Sequence, residues 1–124
     1  MLFQSLQTLL KVENGFLMKE KELIERIQNY TFNIGVTLII NNNTYYTNRE
    51  LTSSVIYCCN KVNNEWLIYD EGPEDKSDMN DKYFYFKSNI EDEAIDFFFN
   101  RLMREDRIYT RRLQKKELIK ESQK

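Results

Sequence analysis

Apolar residues recur along this chain first with a helical period and then with the alternation of strands. Leu2, Phe3, Leu6, Leu9 and Leu10 fall at helical spacing and end at Asn14-Gly15, a helix-stop signal, which predicts a short amphipathic helix. A second stretch, MKEKELIERIQNY, sets Met18, Leu23, Ile24, Ile27 and Tyr30 on one side and charges on the other, predicting another helix. Translation from Met18 would make residues 1–17 an N-terminal extension.

From Phe32 the period changes. FNIGVTLII is β-branched and apolar, and the Asn41-Asn42-Asn43 run after it is turn chemistry, because Asn tolerates left-handed backbone angles. A hairpin into TYYT follows. TSSVIYCCNKV reads as a third strand, the Asn pair at 63 and 64 as a turn, and EWLIYD as a fourth strand. DEGPEDKSDMND holds the only Pro and one of three Gly, making it the clearest loop, and KYFYFKS reads as a fifth strand with aromatics on both faces, so covered on both.

Ser88-Asn89-Ile90-Glu91 matches a capping box, which predicts a helix starting there. Ile90, Ala94, Phe97, Phe98, Leu102 and Met103 form its apolar stripe; Glu91, Asp92 and Glu93 load the first turn with acid, and Arg101, Arg104 and Arg107 gather towards the other end. Beyond Tyr109 the sequence RRLQKKELIKESQK has only Leu113, Leu118 and Ile119 to pack, so both a solvated continuation and a frayed tail over 110–124 fit. Together these elements predict one α+β domain over 1–124: N-terminal helices, an antiparallel meander sheet of about five strands, and a long C-terminal helix packed on one sheet face.

Composition agrees with a packed core. Of 124 residues 41% are hydrophobic, with eight Phe and eight Tyr, so large flat side chains dominate the interior. Cys58 and Cys59 are adjacent in a predicted strand and point to opposite faces, so they read as reduced thiols. No run is long and apolar enough to span a membrane, and the start lacks a basic segment followed by a continuous apolar one; a cytoplasmic location is the expectation. The abundance of Asn, Lys, Ile, Tyr and Phe points to a low-GC bacterial or phage genome.

Candidate chemistry is sparse. With no histidine, the commonest general base and metal ligand are both missing. No CxxC pair, GxxxxGK[ST] or GxGxxG loop is present, so no catalytic set, metal or cofactor is expected. The acids from Asp70 to Asp81 lack EF-hand spacing, its central Gly and its closing Glu, and read as a solvated loop or a surface for a basic partner.

The net charge of -2 argues against a broadly basic nucleic-acid binder, but the charge is uneven. Residues 70–81 carry six acids against Lys76, whereas residues 101–124 carry nine bases against four acids. Arg101, Arg104, Arg111, Arg112, Lys115 and Lys116 fit a solvated helix end with favourable dipole placement, with phosphate contacts as the lesser alternative. Trp66, Tyr69, Tyr83 and Tyr85 alternate on strands as packing residues do, while Tyr45 and Tyr46, beside the Asn turn, are better placed as exposed contacts.

Trp66, Ile68, Tyr69, Asp70, Glu71 and Gly72, followed by Phe86, Glu91, Glu93, Ala94, Phe97, Phe98 and Leu102, resemble a pattern in small bacterial immunity proteins of polymorphic toxin systems. There a Trp-x-hydrophobic-Tyr strand runs into an acidic Gly-containing loop, and a later aromatic strand leads into an acid-rich helix. The resemblance covers roughly the last half of the chain and implies neutralisation of a cognate toxin by direct complex formation and active-site occlusion. The acidic loop itself suits a protein partner with a basic surface, steered by Asp70, Glu71, Glu74, Asp75, Asp78 and Asp81, with Tyr45, Tyr46 and Tyr69 as contact area. The alternatives are a phage-encoded inhibitor of a host enzyme or defence complex, and a nucleic-acid-associated regulator using the basic C-terminal segment. Nucleic acid and membrane are not the expected partners, and a homodimer through an exposed edge strand stays open.

Overall fold

The computed structural model describes residues 18–72 and 82–123. In chain order they form helix α1 (Glu20–Asn29), strands β1 (Thr37–Ile40), β2 (Asn43–Tyr46), β3 (Ile56–Val62), β4 (Glu65–Glu71) and β5 (Lys82–Ser88), and helix α2 (Glu91–Ser122). The strands make one sheet in the order β2-β1-β3-β4-β5, with α2 packed on one face, an α+β arrangement. The helix expected over residues 2–10 lies outside the described residues.

The short α1 buries Leu23 and Ile27 and, just before its start, Met18, as the helical spacing predicts; Tyr30 departs from that stripe, ending exposed and edge-on to Phe32 at 4.6 Å. Both Asn pairs do what their chemistry allows. Asn41 and Asn42 link β1 to β2, and Asn63 and Asn64 link β3 to β4, all four with φ between 47 and 68°. Two consecutive positive φ values are the type I′ pattern, whose twist matches that of a hairpin.

The first strand is shorter than the run FNIGVTLII suggests, because the backbone before Thr37 is satisfied by side chains instead of a ladder. Asp106 Oδ1 accepts from Asn33 N and Ile34 N, both at 2.9 Å; Thr52 Oγ1 accepts from Gly35 N at 3.0 Å, and Thr47 Oγ1 from Val36 N at 2.9 Å. A side chain at Gly35 would run into the Glu50 carbonyl, so this close approach requires glycine.

The sheet is mixed and not the antiparallel meander expected from strand order. β2 pairs with β1 and then the chain crosses to the other side of β1, where β3 runs parallel to it with Leu38 opposite Tyr57 and Ile40 opposite Cys59. The connection from Thr47 to Val55 is long, and it folds back on the segment before β1 through Thr52 N and Ser53 N to the Gly35 carbonyl at 2.7 and 3.2 Å. Burial explains the choice. Pairing TLII with IYCC places the two most apolar strands side by side in the interior and leaves the polar NTYY at the edge.

The capping box at Ser88 does not form. Ser88 is still paired with Trp66 in the sheet, so the helix starts later, with Ile90 as its N-cap and no side-chain cap bond. Ser88 Oγ instead accepts from Ile90 N at 3.0 Å and donates to Glu93 at 2.9 Å, while the Glu91 carboxylate accepts from the free amide of Glu20 at the start of α1.

Ala94, Ile95, Phe98 and Leu102 are the fully buried stripe of α2; Phe97 and Met103 pack beside it, and Ile90 is half exposed. They meet Leu38, Ile40, Tyr57, Cys59, Trp66 and Ile68 on one sheet face. The helix has 32 residues and so runs about 48 Å, against roughly 19 Å across five strands. It therefore continues as a projecting, solvated helix through Ser122. Cys58 and Cys59 form no disulfide; they lie on opposite sheet faces, and both are buried.

Candidate functional site

The residues singled out by sequence are dispersed by the fold. Sheet pairing puts Tyr46, Thr37, Ile56 and Glu71 in one row on the face away from α2, with Tyr46 on an edge strand and 61% exposed. Tyr45 points the other way and packs against the core. Tyr69 is buried, tilted against the Phe84 ring at 5.3 Å, and its hydroxyl accepts from Asn60 Nδ2 at 2.9 Å. Asp70 and Glu71 are strand residues and not loop residues, and Glu74, Asp75, Asp78 and Asp81 lie outside the described residues.

Asp70 is the side chain whose role changes most. Alternation on β4 turns it towards α2, where Arg101 meets it with two parallel hydrogen bonds of 2.6 and 2.8 Å. The two side chains are only 15% and 9% exposed. The guanidinium is sandwiched between the Tyr57 and Tyr85 rings, 4.4 and 3.9 Å from their centroids, and Tyr85 also donates its hydroxyl to Asp70 at 2.8 Å. Burial works against the Arg101 charge, but the Asp70 contact outweighs it and holds the guanidinium above its usual pKa. Tyr57 is pushed up to about 12, first by burial and then by Glu105, so this ring stays uncharged beside the guanidinium. Asp70 is thereby an internal half of a fork-to-fork pair joining sheet and helix.

Two clefts flank α2. One, of about 800 Å³, lies against edge strand β5 and is lined by the stacked Phe86 and Phe97 rings with Glu93, Asp96, Arg104 and Arg107, so its charges oppose one another. The other, of about 540 Å³, lies between the C-terminal half of α2 and the segment that includes Ile34, Thr52 and Ser53. Its helical wall carries Ile108, Leu113 and Ile119 together with Arg112, Lys115 and Lys116, with Glu105 as its one acid. None of these three cations enters an ion pair among the described residues. Leu113 and Ile119 are 38% and 52% exposed, an apolar surface that this chain leaves wet.

The inner end of the second cleft is fastened. Asp106, 3% exposed, holds the amides of Asn33 and Ile34, and Asn33 Nδ2 donates to Thr110 Oγ1 at 2.8 Å. By sequence alone Arg112, Lys115 and Lys116 fit a solvated helix end or phosphate contacts. The signal that an apolar wall shares their surface was present in Leu113 and Ile119, but the opposing loop could not be read from spacing.

Each buried carboxylate described here serves the fold. Asp70 pairs with Arg101, Asp92 with Lys19 Nζ at 2.6 Å, and Asp106 with two backbone amides. Among the described residues no group of three or more His, Cys, Asp or Glu could hold a metal ion, and no helix is long and apolar enough to cross a membrane. The fold thus defines an α+β chain with a basic, apolar-walled cleft. Comparison with protein-family models, with curated proteins and with solved structures gives no match.

Proposed function

We propose that this chain is a binding protein that acts by direct complex formation with another protein, in the toxin-neutralising manner that its immunity-protein resemblance implies. The observation that carries the reading is the second cleft, where exposed Leu113 and Ile119 sit beside three cations unpaired within the described residues. Apolar side chains left wet beside uncompensated charge gain from a macromolecular cover. In keeping with a binding role, Asp70, Asp92 and Asp106 are each engaged by contacts within the fold.

The steering part of the reading now rests on Glu71 and the loop acids, because Asp70 is neutralised by Arg101. A tagged full-length chain recovered from its own host at moderate salt, with mass spectrometry of what it retains, tests the function. A stoichiometric protein encoded beside it whose activity it suppresses is the expected result. A host enzyme encoded elsewhere would identify a phage-type inhibitor instead, and recovery that collapses on nuclease treatment would overturn protein binding. The regulator reading draws on the C-terminal stretch from Arg107 to Lys120, which has six bases and one acid, Glu117. It requires DNA binding that falls steeply with salt.

A further inference from the structure

Resting on that reading, we propose that the cleft between the C-terminal half of α2 and the segment around Ile34 and Ser53 docks an acidic segment of the partner protein, anchored by aliphatic or aromatic side chains. Charge complementarity selects the sign. Arg112, Lys115 and Lys116 line the cleft with no carboxylate paired to them among the described residues, whereas the cleft beside β5 mixes both signs and selects neither.

Apolar lining selects the class of occupant. Ile108, Leu113 and Ile119 reward side chains that exclude water, which a sugar-phosphate backbone does not offer. A single-stranded nucleic acid would also gain from a ring to stack on. The Tyr57 ring is covered by the Arg101 guanidinium, and Tyr109 packs against the core. The anchoring of Asn33 and Ile34 by Asp106, and of Asn33 by Thr110, builds the wall before any partner arrives, so little ordering cost falls on association. The partner segment is thus acidic, opposite in sign to the partner expected from the loop acids.

The test uses the full chain and synthetic probes. Two labelled peptides of about twelve residues carry equal negative charge, one with Leu and Phe at helical spacing and one with Ser in their place; single-stranded and duplex DNA complete the set. Anisotropy is read for the natural chain, for Lys115→Glu/Lys116→Glu and for Leu113→Ser/Ile119→Ser. All four positions are solvent-exposed, so circular dichroism and Tm should show an intact fold. Preference for the amphipathic acidic peptide, lowered about tenfold by either double substitution, supports the proposal. Equal binding of the Ser peptide or of DNA overturns it in favour of a polyanion surface. Self-association abolished by the same substitutions overturns it in favour of a second copy.

Host pull-downs with both double variants separate the two levels. A partner kept by the natural chain and by both variants leaves protein binding standing and removes the cleft. No partner for any chain removes the functional reading itself.

Discussion

Replacing Arg101 by Met should be among the most destabilising single changes in the described fold. The substitution keeps the apolar stem but removes the guanidinium, leaving Asp70 with only the Tyr85 hydroxyl of the donors described here, in a site 15% exposed. Breaking one side of a buried pair costs about 3–5 kcal/mol, because the remaining charge has lost both water and partner. Against a total of about 5–15 kcal/mol for a domain of this size, that is a large share. At roughly 4 °C per kcal/mol, the midpoint of thermal unfolding should fall by roughly 12–20 °C. Trp66, the only tryptophan, is 3% exposed and faces α2 from the same strand as Asp70, so its fluorescence reports urea unfolding directly. The decisive comparison is the double variant Asp70→Leu/Arg101→Met. If the pair acts as one unit, the double should lie within about 2 kcal/mol of the natural chain, well short of the sum of the single losses. A single Arg101→Met loss below about 1 kcal/mol, or a double loss equal to that sum, would refute the account.

Three further expectations follow from individual residues. Asp106→Ala leaves one buried and one part-buried amide without this acceptor and should cost roughly 2–4 kcal/mol, while Asp106→Asn keeps the accepting oxygen and should cost less; hydrogen exchange at Asn33 and Ile34 localises the effect. Asn64→Val forces a β-branched residue to φ near 65° and should cost about 1–2 kcal/mol, whereas Asn64→Gly should leave urea unfolding nearly unchanged. Tyr57, raised from 10.0 to about 12, favours its neutral form in the folded state. Its contribution is complete below pH 10 and is lost as pH rises towards 12, so the natural chain should lose about 2–3 kcal/mol more than Tyr57→Phe across that interval. Parallel pH profiles for the two chains would contradict it.

Local chemistry wrote most of the elements into the sequence. Helical spacing located α1 and the core stripe of α2, alternation located the five strands, and the two Asn pairs marked the turns, since each depends only on neighbours a few residues away. What the sequence left open involves partners distant along the chain. The parallel β1–β3 pair arose because burial of the two most apolar strands prevailed over connection order. Ser88 failed as a cap because the sheet claimed it first. Asp70 looked like part of an acidic loop until the fold brought Arg101, 31 residues later, against it. The candidate cleft has the same origin: the sequence determined that Arg112, Leu113, Lys115, Lys116 and Ile119 lie close together on a helix. Only tertiary structure decided that they face Ile34 and Ser53, because Asp106 binds the amides of Asn33 and Ile34 and spends their hydrogen bonds across the chain instead of within a strand.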